Sequence, residues 1–447
     1  MGRTRTAYVC SDCGAHSVKW QGQCPECAAW NTLVQTTLQV SSAAATPLAA
    51  ASRLDSLLDD AGERYPTGFA EFDRVLGSGL VPGSVVLLGG DPGVGKSTLL
   101  QQVAARLPAE LKTCYATGEE SLRQIAQRSR RLGLDSPALS LLSETSLENV
   151  LQQAVDLRTR VLFIDSIQTM VSATLPSAPG SVAQLRECVG RIVQFAKQKE
   201  VAVFLIGHVT KEGAIAGPRV VEHMVDTVLY FENDPASRYT VVRAVKNRFG
   251  ASNEMGVFAM TSSGFREVRN PSAIFLSGDS TGRPGSIVSV VWEGSRPLLV
   301  EIQALVAGAN SNYARRLAQG IDQNRLALLV AVLQKHGGIS LAGEDIFVNV
   351  VGGLRVVETA ADLPSLLAIV SSFRDRPCRQ KLMSFGELGL AGEVRPVKFG
   401  NERIAEAAKQ GFGAAIVPQS NVPRDPIPGI RIIGVSKLDD ALTQAFA

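Results

Sequence analysis

Gly90-Asp91-Pro92-Gly93-Val94-Gly95-Lys96-Ser97 reads G-x-x-x-x-G-K-S, and the chemistry this pattern serves is phosphate binding. Glycines let backbone N–H groups close around phosphate oxygens, a helix N-terminus adds partial positive charge, and one lysine completes the charge balance. Apolar residues 84–88 precede the motif and Thr98-Leu99-Leu100-Gln101 follows it, so the loop joins a buried strand to a helix. Lys96 is expected to reach the β- and γ-phosphates of ATP, Ser97 to ligate Mg²⁺, and Thr98 to complete the nucleotide-binding set.

Phosphoryl transfer also needs carboxylates beside that loop. Val161-Leu162-Phe163-Ile164-Asp165 is four apolar residues ending in an acid, the Walker B pattern, which holds Asp165 near Mg²⁺. Thr117-Gly118-Glu119-Glu120 ends another predicted strand. Glu119, with Glu120 close behind, is placed to orient and deprotonate the water that attacks the γ-phosphate. Capping of the following helix is the structural alternative for either glutamate. His208 stands at a further strand end, as a phosphate sensor, the start of a mobile loop or a plain structural residue.

The elements that must position these groups are legible. Predicted strands 113–117, 161–165, 201–206, 225–231 and 239–245 alternate with helical segments. The fold class is therefore α/β, a mostly parallel sheet covered on both faces with its site at the strand C-termini. Two loops rich in Gly, Pro and Ser, 172–181 and 210–219, leave the same edge; the second carries Lys211 and Arg219, which suit a nucleic-acid backbone or solvent equally. Lys246-Asn247-Arg248-Phe249-Gly250 closes the strand 239–245. Residues two apart share a strand face, so Lys246 and Arg248 project together, into solvent or toward an anion such as a neighbouring subunit's γ-phosphate.

Cys10, Cys13, Cys24 and Cys27 form C-x2-C, ten residues, C-x2-C. Four soft thiolates at two knuckles suit tetrahedral Zn²⁺, and a segment with Trp20, Trp30 and little else apolar needs the metal to fold. Lys19 and its loop are open to nucleic acid, a partner protein or neither. Residues 36–53, mostly Thr, Ser and Ala around Pro47, read as a flexible linker. Cys114, Cys188 and Cys378 stand alone. The net charge of +3, with 45% hydrophobic and 19% charged residues, fits a soluble chain of two or three domains and by itself argues no nucleic-acid partner. No apolar run is long enough to span a membrane and residues 1–10 lack the core of a secretory signal, so a cytoplasmic location is expected.

The order of four-cysteine ribbon, P-loop Gly89–Ser97, pentapeptide Lys246–Gly250 and long C-terminal domain resembles the bacterial RadA family, also called Sms. The resemblance spans essentially the whole chain. It implies a RecA-like P-loop NTPase core with an N-terminal four-cysteine zinc ribbon and a C-terminal Lon-protease-like α+β domain. It also implies a hexameric ring related to replicative helicases, binding of single-stranded and branched DNA, and branch migration in homologous recombination and DNA repair alongside the RecA recombinase. In that family the pentapeptide lysine acts across the subunit interface, which here falls on Lys246 with Arg248 as companion.

In the Lon fold the nucleophilic serine stands just before a helix, here within 358–362, and the matching position is Ala360. The dyad lysine belongs near 399–403, where none stands and Lys398 is nearest, so a peptidase lacks its nucleophile. Tyr313, Arg315, Arg316 and Arg325 are expected on a helical region, facing DNA or solvent. The expected divisions are 1–35 for the ribbon, 36–53 for the linker, 54–269 for the ATPase domain and 270–447 for the Lon-like domain, inactive as a peptidase. The expected function is a DNA-dependent ATPase and ATP-driven DNA motor using ATP, Mg²⁺ and Zn²⁺. The alternative is a RecA-like ATP-dependent switch or scaffold that moves no DNA.

Overall fold

The computed structural model describes residues 4–10, 16–26, 28–39, 63–134, 138–208, 220–233, 239–268, 270–276, 282–309 and 314–446. The chain forms two compact units, Met1–Glu267 and Val268–Ala447. At the N-terminus, β1 (Thr4–Cys10) pairs antiparallel with β2 (His16–Ser17) and with β3 (Leu33–Gln39), Cys10 opposite Leu33 and Thr4 opposite Gln39. The linker expected from residue 36 therefore starts too early. Thr36 and Thr37 are β-branched and find ladder partners in Ala7 and Thr6, which outweighs a low-complexity composition. Residues 40–53 lie outside the described residues.

The nucleotide-motif sheet follows from runs of residues that are apolar on both sides. β4 (Val85–Gly89), β5 (Thr113–Thr117), β7 (Val161–Asp165) and β8 (Ala202–Ile206) are buried at every position, as strands covered on both faces must be. Among the described residues the sheet has nine strands in the order β12-β11-β10-β9-β4-β8-β7-β5-β6. β6 is Leu139–Ser143, β9 Thr227–Asn233, β10 Tyr239–Asn247, β11 Met255–Thr261 and β12 Gly264–Glu267. The six strands from β9 to β6 run parallel; β10, β11 and β12 add an antiparallel flank.

Helices cover both faces. Val86 and Leu88 pack with α1 (Ala70–Leu76) and α2 (Lys96–Arg106) through Phe72, Leu99, Leu100 and Val103. α3 (Leu122–Leu132) adds Ile125 to the same face. Val85 and Leu87 face the other way, toward Leu147 and Val150 of α4 (Leu147–Asp156) and Leu185, Val189 and Ile192 of α5 (Val182–Lys199). The loop 172–181 is pinned. The buried Gln184 donates to the carbonyls of Ser172, Leu175 and Ser177 at 3.3, 2.7 and 3.1 Å and accepts from the Ser172 N–H at 3.1 Å.

The C-terminal unit holds β13 (Ser286–Glu293), β14 (Arg296–Gly308), β15 (Arg316–Gln319), α6 (Gln323–His336), β16 (Glu344–Val350) and α7 (Asp362–Phe373), the last packed on β13 and β14. β17 (Leu382–Ser384), α8 (Gly400–Lys409), β20 (Ala414–Pro418) and β21 (Arg431–Val435) complete its core, and the sheet order is β15-β16-β14-β13-β17-β20-β21; β18 (Glu387–Leu388) and β19 (Val394–Arg395) form a separate ribbon. Arg316, expected on a helical region, instead opens β15, which pairs parallel with Ile346–Asn349. Arg325 is no open cation: it forms a two-pronged pair with Asp362 and donates to the Leu388 carbonyl at 3.1 Å. Tyr313 lies outside the described residues.

Candidate functional site

The P-loop leaves β4 at Gly89 and enters α2 at Lys96. Gly95 caps the helix in the left-handed region, at φ 98°. A Cβ there would stand 2.8 Å from Met260 Cε and the Phe265 ring, so both backbone sign and space require glycine. No side chain caps α2, which leaves its first N–H groups for an anion. Lys96, only 3% exposed, turns its ammonium onto the carbonyls of Gly90 and Asp91 at 2.7 and 2.8 Å. Burial pushes it down to about 8, against the opposing pull of Asp165, Asp91 and Glu119. Ser97 and Thr98 follow on the first helical turn, half-buried; Asp91, Pro92 and Gly93 are exposed, with Val94 between.

Asp165 ends β7 opposite Thr117 of β5, so the adjacent parallel strands bring the acidic ends together. Its carboxylate is buried, and Tyr115 donates to Oδ2 at 2.6 Å. Burial raises its pKa, opposed by the Tyr115 hydroxyl and the nearby Ser97 hydroxyl. The peptide Asp165–Ser166 is cis.

The two glutamates part ways. The N–H groups of Glu119 and Glu120 both approach the Thr117 hydroxyl, at 3.3 and 3.1 Å. The Glu119 carboxylate then meets His208 Nε2 at 3.2 and 3.3 Å and accepts from the Ser166 hydroxyl. Hydrogen bonding to His208, joined by Ser166 and the Lys96 charge, holds it below the usual carboxylate range. Glu120 instead pairs with Arg128 of α3 at 2.6 Å, and Arg128 Nε donates to Gln101 of α2 at 2.6 Å. Glu119 thus faces the nucleotide loop with an adjustable partner, and Glu120 ties α3 to α2. Neither side chain caps a helix; Ser121 and Gln124 form the capping box of α3.

Lys246 and Arg248 sit elsewhere. β10 is antiparallel to β9, with Lys246 opposite Val228 and Asn247 opposite Thr227, while β9 runs parallel to β4 with Thr227 beside Val86 and Tyr230 beside Gly89. The Arg248 N–H reaches the Asp226 carbonyl, and Asp226 in turn bonds the Val85 N–H. The pentapeptide is therefore level with the start of β4, roughly 13 Å along the strands from the end that launches the P-loop. A register shift falls between Ala244 and Lys246, ahead of both cations. Lys246 Nζ donates to the carbonyls of Glu222, His223 and Val225 at 3.0, 3.2 and 2.8 Å, and Arg248 pairs with Asp226 at 3.1 Å while staying half exposed. Asn247 bonds the Val75 carbonyl, and the backbone at Gly250 lies against Gly77 so closely that a Cβ would fall 2.6 Å from its Cα. Asn247 and Gly250 hold the strand end to α1; Lys246 and Arg248 present the charge.

Cys10 and Cys24 share one small buried cluster with Leu33, backed by Tyr8. Cys13 and Cys27 lie outside the described residues, as do Lys211 and Arg219. Where the C-terminal resemblance places a nucleophile, Ala360 is buried in a short turn before α7, and the adjacent Thr359 hydroxyl is spent on Glu387 at 2.6 Å. Arg403, 1% exposed, fills the region expected for a dyad lysine and clasps Glu358 with two 2.7 Å bonds.

Sequence reasoning passed over Tyr115, Ser166 and Arg128. Tyr115 reads as one more core aromatic of a strand, and Ser166 and Arg128 meet their partners only through the parallel crossovers; none carries a spacing signal.

Residues 8–35 match the rubredoxin metal binding domain family, 51–214 the AAA domain family, and 323–421 the family of subunit ChlI of Mg-chelatase. The DNA repair protein RadA of Salmonella typhimurium is 53% identical over 450 residues, covering 98% of each chain. That of Bacillus subtilis is 45% identical over 452 residues, covering 99% of each. A crystal structure of the RadB recombinase is similar with a TM-score of 0.36 at 19% identity, covering 46% of this chain and 99% of that one. The expected architecture holds: a RecA-like P-loop ATPase core between a zinc ribbon and a Lon-like domain. With such identity along nearly its whole length, the chain belongs to the RadA family of DNA repair proteins.

Proposed function

We propose that the chain is a DNA-dependent ATPase and ATP-driven motor of homologous recombination and repair. It extends recombination intermediates by branch migration with helicase-like action, alongside the RecA recombinase. It acts in the cytoplasm, as a hexameric ring on single-stranded and branched DNA. The observation that carries this reading is the placement of Lys246 and Arg248 at the end of the sheet remote from the chain's own P-loop. Cations there are badly placed for their own nucleotide and well placed for one held by a neighbour.

In this reading the P-loop amides and Lys96 hold the phosphates of ATP. Ser97 and Asp165, a hydroxyl and a buried carboxylate, would be the hard oxygen donors that hold Mg²⁺. Bound Mg²⁺ supplies charge neutralisation across the β- and γ-phosphates. Glu119 orients the attacking water and accepts its proton, with His208 and Ser166 fixing the carboxylate meanwhile. Lys246 and Arg248 of the next subunit stabilise the charge that spreads over the γ-phosphate. Cys10, Cys13, Cys24 and Cys27 hold Zn²⁺ in the ribbon; the pairing of Cys10 and Cys24 in one buried cluster suits that.

The alternative is an ATP-dependent switch or scaffold without translocation, and one observation favours it. Lys246 is docked on three carbonyls of its own chain, the behaviour of a structural residue. The deciding experiment follows ATP-driven heteroduplex extension and fork unwinding by the wild type, Lys96→Ala and Lys246→Ala. Motion by the wild type alone, with DNA binding retained by both variants, supports the motor. ATP hydrolysis that DNA neither stimulates nor converts to motion overturns it in favour of the switch.

A further inference from the structure

Tyr115 lies in the middle of β5, fully buried, where its ring is one layer of an aromatic stack. It stacks on its cross-strand neighbour Phe163 (5.9 Å between centroids, 21° between planes), which stacks on Phe204 (5.2 Å, 6°), which stacks on Phe72 of α1 (6.0 Å, 24°). Three strands and a helix thus fix the ring. Its hydroxyl reaches two residues along the sheet, onto Asp165 Oδ2 at 2.6 Å. Asp165 is 2% exposed, so the donors it meets inside the protein decide where its oxygens point. Tyr115 is such a donor.

Tyr115 and the nearby Ser97 hydroxyl differ in kind. Ser97 sits on the first turn of the P-loop helix, where nucleotide and metal claim its oxygen, whereas Tyr115 is anchored in the core and touches neither. A carboxylate next to a metal is tuned by such outer hydrogen bonds, whose loss costs roughly 10–100-fold in metal affinity.

We infer that Tyr115 is a positioning residue for the metal side of the nucleotide site, clamping one oxygen of Asp165 so that the aspartate meets the metal in a single orientation. The inference rests on the reading that Ser97 and Asp165 hold Mg²⁺.

The test uses Tyr115→Phe, which keeps the ring and its stack and removes only the hydroxyl, with Asp165→Asn as reference. Binding of a fluorescent ATP analogue to the full-length chain is titrated with Mg²⁺, a readout that needs no turnover. Tyr115→Phe is expected to bind the metal-free nucleotide as the wild type does and to need roughly tenfold more Mg²⁺ for its metal-dependent gain in affinity. Asp165→Asn is expected to need at least as much. A merely structural tyrosine would lower the melting temperature of the nucleotide-free protein and leave the Mg²⁺ midpoint in place. A shifted midpoint in Asp165→Asn with an unshifted one in Tyr115→Phe overturns the inference alone. Unshifted midpoints in both variants overturn the metal assignment on which it rests.

Discussion

Glu119→Gln and Glu120→Gln, adjacent and chemically identical changes, are expected to fail in opposite ways. Glutamine at 119 still accepts from Ser166, so the local hydrogen bonding survives while the base is lost. The expected drop in kcat is about 10²- to 10⁴-fold, with nucleotide affinity and melting temperature near wild type. At 120 the lost charge is the partner of Arg128, whose side chain is 14% exposed against 33% for Glu120. That burial lies between the exposed and fully buried limits for ion pairs, so the change should cost about 1–3 kcal/mol. For a unit of this size that is roughly 2–10 °C in melting temperature, with kcat within a few-fold of wild type. Steady-state hydrolysis at saturating Mg·ATP and thermal melting of the same preparations separate the two outcomes. Deep loss of turnover in Glu120→Gln, with Glu119→Gln still active, would refute the assignment drawn from their partners.

Three further outcomes follow from the same geometry. Because the His208 hydrogen bond leads in holding Glu119 below the usual carboxylate range, the base stays ionised into acid; His208→Ala should shift the acid limb of the kcat profile to higher pH, and an unmoved limb would deny the contact a role. Cys24→Ser should lower bound zinc from one per chain to none by elemental analysis and melt the sheet of β1, β2 and β3, whose described core is little more than Cys10, Cys24 and Leu33, while leaving ATPase melting intact. Glu358→Gln strands the buried Arg403 cation and should cost about 3–5 kcal/mol in denaturant unfolding followed at Trp292, whose N–H bonds Glu358 and whose ring stacks on Phe399; a cost under about 1 kcal/mol would mean that water reaches the guanidinium.

What the sequence disclosed and what it withheld divide along a physical line. Walker B was legible because a strand buried on both faces writes itself as an unbroken apolar run ending in a polar residue, and Val161–Asp165 does so. Edge strand β15 was not, since a four-residue strand with Arg316 and Gln319 half exposed or exposed has no period to read. The separation of Glu119 from Glu120 was withheld for another reason: it depends on Arg128 and His208, residues that reach the site from a helix and a strand end. The docking of Lys246 likewise depends on the backbone shape of 222–225, and carbonyl oxygens carry no side-chain signature.

Lys96 holds partners within its own chain, so binding ATP is an exchange of contacts, and the exchange is visible in protons. Lys96 rests on the Gly90 and Asp91 carbonyls, with burial bringing it from 10.5 to about 8. A folded-state value below the unfolded one means the charged form is penalised in the fold, a penalty present at neutral pH that fades as pH rises from about 8 through 10.5. Phosphate oxygens beside the ammonium restore the charged form, so the value in the complex must exceed that in the free protein. Above pH 8, then, binding takes up a proton, and nucleotide affinity should fall by as much as about tenfold per pH unit. Metal-free binding in chelator, between pH 7 and 9.5, isolates this lysine from any effect on Mg²⁺. Calorimetry in buffers of different ionisation enthalpy should count close to one proton taken up at pH 9 and few at pH 7. Affinity that stays level to pH 9.5 would show that Lys96 is already fully charged on its two carbonyls, and that these, rather than the phosphates, set its state.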